Sequence, residues 1–288
     1  MIPASKRRPA TIAPSRPDPA TSSQRLGIVR RWSLGALVAA SWLSGAIFAA
    51  YIIVFFGGAL VGGIGARWNV ALPGLHDAGA PLATLTIGAH FVTGGVLLLL
   101  GPIQLIGPLR RAAPALHRWL GRAYVVSAGV AGLGGVGFIL RQGTVGGPLM
   151  DVGFGLYGAL MVMCAALAYS HARARRFDRH RAWAIRLFAL TIGSWLYRME
   201  YGLWFLLFGS LGRGAGFSGW FDAVMVFFFY VPNLAVAEIA IRSSAVPRAT
   251  PAALATIALF MVATVLVVAI TTTFTLRVWA PRILDALA

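Results

Sequence analysis

His117-Arg118-Trp119-Leu120-Gly121-Arg122 and His180-Arg181-Ala182-Trp183-Ala184-Ile185-Arg186 decide how this chain is read. In each, a basic loop runs into a long apolar segment with a tryptophan among the arginines. That is the pattern of a membrane boundary, where Arg and Trp sit at headgroup level. Outward from these two segments, apolar runs recur along a chain of 288 residues that is 58% apolar and only 11% charged. Runs of about 18 to 32 residues cross a hydrocarbon core of roughly 30 Å at 1.5 Å per helical residue. Seven can be marked, near 34–65, 82–107, 123–140, 149–170, 182–209, 219–241 and 251–276. The expectation is therefore an all-α, polytopic transmembrane bundle of about seven spans, with no inserted soluble domain.

The net charge of +17 would point to nucleic acid in a soluble protein. Here the basic residues punctuate apolar spans, so no nucleic-acid partner is expected. Their natural partners are the lipid bilayer and its anionic headgroups at the cytoplasmic face. All basic residues but Lys6 are arginine, which with the abundant Ala and Gly has the look of a GC-rich bacterial genome. Nineteen of them fall in the first 33 residues, 110–122, 173–186 and 242–248, on one side of the expected topology. Five, Arg67, Arg141, Arg213, Arg277 and Arg282, fall on the other. That bias places the N-terminus in the cytoplasm and the protein in a bacterial inner membrane.

Three regions follow. Residues 1–33 form a disordered basic cytoplasmic tail, 34–276 the transmembrane bundle and 277–288 a short extracytoplasmic end. The first apolar run is too long for a signal-peptide core and is read as an uncleaved helix. The one cysteine, Cys164, lies within a span and forms no intrachain disulfide, and no Cys-x-x-Cys motif is present. Glycines spaced by three or four, as in Gly58/Gly62, Gly129/Gly132 and Gly155/Gly158, let helix backbones approach closely within one bundle or at a dimer seam. The oligomeric state is left open. The two His-Arg segments also share a plan, each beginning an outward-running helix, as in a worn duplication or as shared interfacial anchoring.

Charges inside a bilayer are costly and mark the candidate site. Span five carries Arg198 and Glu200, which at 100° per residue point to nearly opposite sides, so each needs a partner on another helix. Asp151 and Asp222 are the expected partners for Arg198. On span two, Thr86, His90, Gly94, Leu97, Gly101 and Gln104 share a narrow face that should look inward. His180, Leu187, Thr191, Ser194 and Arg198 share a face of span five. If the two faces meet, a polar stripe joins His90, Arg198 and Glu200 to a cytoplasmic cluster of Gln104, Arg110, His117, Arg118, Arg122, Tyr124, His180 and Arg186.

In that cluster His117 and His180 come from different helices at one depth, as axial ligands of a haem b do. They equally suit a proton relay or an anionic headgroup site. No metal site is expected, and the absence of His-Glu-x-x-His, a phosphate loop or a serine–histidine–acid set disfavours a membrane protease or an ATP-driven pump. The readings carried forward are an integral membrane protein with haem- or quinone-linked redox chemistry, a transporter or proton conductor, and a structural or assembly protein.

His90 with its following glycines, Gly101-Pro102-Ile103-Gln104, Leu109-Arg110, His117 through Tyr124, and His180 through Arg186 leading to Arg198 form an ordered set. By that set the chain, over roughly residues 35 to 240, resembles the bacterial membrane proteins grouped as domain of unknown function 2306. The resemblance implies an integral-membrane fold and the same polar residues, and brings no activity with it.

Overall fold

Within a bilayer the backbone must satisfy its hydrogen bonds internally, and an uninterrupted helix does so residue by residue. The computed structural model describes residues 19–242 and 250–287, and no strand occurs among them. Six helical segments are long and apolar enough to cross a membrane: residues 24–61, 81–104, 114–142, 147–173, 220–242 and 251–287. They coincide with six of the seven apolar runs, and the protein is a multi-pass helical bundle. The remaining run, 182–209, is instead two helices of 15 and 16 residues. Neither alone has the roughly 20 residues that a span needs.

In chain order, α1 (Pro19–Tyr51) passes through a π-helical turn (Ile52–Gly57) into α2 (Gly58–Val61), with α3 (Trp68–Ala71) in the loop that follows. Next come α4 (Pro81–Gln104), α5 (Gly107–Ala112), α6 (Pro114–Gln142) and α7 (Gly147–Arg173). The interrupted run 182–209 falls in α8 (Phe177–Thr191) and α9 (Gly193–Phe208). After it stand α10 (Trp220–Phe228), α11 (Val231–Arg242), α12 (Thr250–Phe274), a second π-helical turn (Thr275–Trp279) and α13 (Ala280–Leu287).

The first 18 residues of the expected tail, and Arg248, lie outside the described residues. Residues 19–33, placed in the same tail by sequence, are already helical. The segment from 277 to 287 is helical too, and it packs: Trp279 is 2% exposed between Phe48 and Phe274.

Proline and glycine set the boundaries. Pro81, Pro108, Pro114 and Pro148 stand in the first turns of their helices, where the missing N–H has no intrahelical partner to lose. Ala80 and Ala113, just before two of them, hold non-helical backbone as a following proline demands. Gly143 and Gly209 end α6 and α9 at φ of 70° and 62°, a region that costs glycine nothing.

α4 packs along α6, α6 along α7, α7 along α8, and α8 against α11; α1 packs against both α4 and α12. The closest approaches use glycine. A Cβ on Gly132 would lie 2.7 Å from the Gly158 carbonyl oxygen, and one on Gly134 would lie 2.6 Å from that of Thr86. Gly129 and Gly155 face open space, so one member of each spaced pair makes the contact. Gly132, Gly134 and Gly158 thus serve helix packing within the chain, whereas Gly62 meets only its own turn.

Candidate functional site

The site begins where the apolar run 182–209 divides into α8 and α9. Around Ile192 the helical ladder lapses, and side chains from other helices take up the freed groups. The Tyr157 hydroxyl of α7 donates to the Leu190 carbonyl at 2.8 Å, and the Thr191 hydroxyl meets that of Tyr124 on α6 at 2.5 Å. Gly193 lets Phe229 and Tyr157 close on the break, since a Cβ there would lie 3.3 to 3.4 Å from both rings. Beyond the break α9 packs against α12. Trp195 donates to Ser44 of α1 at 2.8 Å, and Thr271 of α12 donates to the same oxygen at 2.7 Å.

One turn further, Arg198 faces a cavity of about 800 Å³. Its Nη1 donates to the Ser194 carbonyl at 2.7 Å, and its guanidinium carbon lies 4.5 Å from the centre of the Phe48 ring. No carboxylate reaches it. The only ion pairs among the described residues are Arg186 and Arg242 with Glu238, elsewhere in the bundle. The expectation that Asp151 or Asp222 neutralises Arg198 is therefore corrected.

Each acid has another occupation or another direction. Asp222 accepts from the Tyr201 hydroxyl at 2.8 Å and from the amides of Gly214 and Gly219, capping the start of α10. Asp151 accepts from the Thr144 amide at 2.6 Å, tying the α6–α7 loop to the second turn of α7. Glu200 points away from the cavity with one carboxylate oxygen buried and unpartnered, as the spacing of the two charges required.

His90 lies across the same cavity. Its Nδ1 is 2.7 Å from the Ala131 carbonyl oxygen of α6, which only accepts, so Nδ1 carries a hydrogen and Nε2 is left without a hydrogen-bond partner among the described residues. A Cβ on Gly135 would lie 3.1 Å from that Nδ1, so the glycines of α6 make room for the imidazole. Tyr157, Tyr197 and Tyr201 add hydroxyls to the lining, and phenylalanines that include Phe91, Phe154, Phe205 and Phe274 form part of its apolar wall. Arg213, Arg277 and Arg282 stand at the mouth.

The other candidate residues gather at the opposite end. Gln104 packs over Gly121, with its Nε2 buried and unpartnered, and Tyr124 turns inward to Thr191. His180 holds its Nδ1 2.9 Å from the Ala168 carbonyl. His117 is half-buried in the first turn of α6. Arg122 stacks over Trp119 at 4.9 Å, and that ring is 68% exposed, an arrangement suited to a headgroup layer. Arg118 is exposed beside it. Arg186 stacks over Trp183 at 4.4 Å and pairs with Glu238 of α11.

The structure thus brings His90 and Arg198 to one cavity, as the two facing polar stripes led one to expect, but Glu200 and the His117–His180 cluster, which the sequence joined to them in one stripe, do not line it. Sequence reasoning missed Glu238, Tyr157 and the three mouth arginines. Glu238 had a signal, since it stands four residues before Arg242 in the last turn of a span.

A bundle of several apolar helices enclosing a cavity lined by aromatic rings and arginines defines a polytopic membrane protein. More narrowly, the chain belongs to the family described as predicted membrane protein DUF2306, which matches residues 87–241, more than half of its length. Neither a curated protein nor a solved structure matches it.

Proposed function

We propose that the protein binds a membrane-soluble amphiphile, with the oxygen-bearing head of that molecule on Arg198 and its apolar part between the aromatic walls. One observation carries this: a guanidinium without a carboxylate faces a cavity of about 800 Å³, the size of a cofactor or drug site. Guanidinium is always charged and binds oxygen acceptors in a planar fork. Left with one carbonyl and one ring, it is set to receive a further acceptor.

A quinone-linked redox role is the more specific form of this reading, favoured by His90. In its neutral form that imidazole accepts a proton at Nε2 from a quinol hydroxyl while Arg198 steadies the oxygen left behind. A haem b on His117 and His180 is the companion redox reading, supported by the bond that aims the His180 ring. The transport reading that joins Arg198 and Glu200 in one path has less support, because the two face different ways. The arginine bias favours a bacterial inner membrane with the His-Arg end toward cytoplasmic headgroups.

Decylubiquinone titrated into protein in a neutral maltoside detergent tests the quinone form through tryptophan quenching. Saturable quenching that weakens in His90→Phe and Arg198→Leu is expected, and an optical spectrum of the same sample reports haem through a Soret band. Equal quenching in all three proteins would remove the cavity from the explanation.

A further inference from the structure

We infer that the cavity selects an anionic amphiphile, one with a phosphate or carboxylate head on a hydrocarbon chain; this rests on the amphiphile-binding reading above and narrows it. The ground is a charge count. Arg198, Arg213, Arg277 and Arg282 all line this one cavity, and no aspartate or glutamate among the described residues does. Three of the five arginines that the sequence puts on that side therefore converge at its mouth, while the fourth waits inside.

Their contacts are with neutral groups. Arg282 donates to the Tyr51 hydroxyl at 3.0 Å and to the Val70 carbonyl at 3.3 Å, and its guanidinium lies 5.7 Å from the Phe55 ring. Arg213 lies 5.3 Å from the Tyr201 ring, and Asp222, which accepts from the Tyr201 hydroxyl and two amides, forms no ion pair with it. Cations held over rings and carbonyls keep their charge available. Several like charges around one low-dielectric space focus a field that favours an anion at the centre.

The walls say what the anion is attached to. A free phosphate ion would occupy a small part of about 800 Å³ and leave phenylalanines facing water, whereas a hydrocarbon chain fills that space. The arrangement is thus graded: mouth arginines meet the head first, and Arg198 holds it deeper, between the helices.

Three probes decide the matter with the full chain in a neutral maltoside detergent: dodecyl phosphate, inorganic phosphate at the same concentration, and decylubiquinone as a neutral amphiphile. Dodecyl phosphate should raise the melting midpoint in a saturable way, with inorganic phosphate giving no shift. Arg198→Leu should weaken it about tenfold or more, the loss expected of a charge-assisted contact. The double variant R213Q/R277Q, at two exposed positions, should weaken it several-fold and flatten its salt dependence, so the inference stays testable if the Arg198 variant does not fold. Equal binding of decylubiquinone and dodecyl phosphate, or binding of the neutral probe alone, would overturn the anionic class and leave the amphiphile site standing. Shifts by inorganic phosphate alone would show an ion site without a chain, and no shift by any probe would remove both.

Discussion

Arg186 and Arg198 lie twelve residues apart along one interrupted apolar run, and the bundle treats them in opposite ways. Arg186 is paired with Glu238 and stacked on Trp183. Arg198 has only the Ser194 carbonyl and the Phe48 ring. The break at Ile192 separates them, so the charge on one side is used up by the protein and the charge on the other is presented to a cavity. Residue type and depth alone do not distinguish an anchoring arginine from a binding one. Acid supply does.

The largest effect expected is all-or-none and concerns which face each end meets. With Cys164→Ser as background, Ser210→Cys at the cavity end should react with an impermeant thiol reagent on intact spheroplasts. Ala174→Cys, in the turn between α7 and α8, should react only after lysis. The opposite labelling would turn the cavity toward the cytoplasm and break the comparison at its root.

A middle-sized effect belongs to the break itself. Tyr157→Phe keeps the ring that packs 4.9 Å from Phe229 but leaves the Leu190 carbonyl without its donor. A loss of about 1–3 kcal/mol is expected in detergent unfolding, the cost of an orphaned buried acceptor. An unchanged midpoint would mean that the interrupted ladder is satisfied some other way.

The smallest effect is the sharpest test. Without a buried acid to strand, Arg198→Leu in ligand-free protein should lower the melting midpoint less than Tyr157→Phe does, or raise it, because the change removes an unpaired cation from apolar surroundings. A drop of several degrees that a second change at Asp151, Glu200 or Asp222 partly restores would reinstate the acid partner that the sequence led one to expect.

These outcomes also mark what a reader of the sequence can reach. The helices are legible because a bilayer admits little else: a long apolar run with arginines at its ends has one local solution. His90 and Arg198 are legible because polar groups at that depth are conspicuous. The acids misled because Asp222 and Asp151 sit at helix starts, where nearby amides compete for a carboxylate and win over a distant arginine. The break at Ile192 left no mark, since Thr191-Ile192-Gly193 is unremarkable in a chain with 34 glycines. Nor could spacing show that Arg213, Arg277 and Arg282 share a mouth, because loops far apart in sequence meet there.

That mouth has a consequence for biosynthesis. Part of the cavity wall comes from residues 273–282, and this wall is fastened to the loop after α2 by Arg282 on the Val70 carbonyl and by Arg67 on the Asp285 carbonyl at 2.8 Å. Ribosomes deliver these residues after every other wall has been made. The cavity wall is therefore complete only once this stretch of the chain has folded back against α1 and the loop after α2.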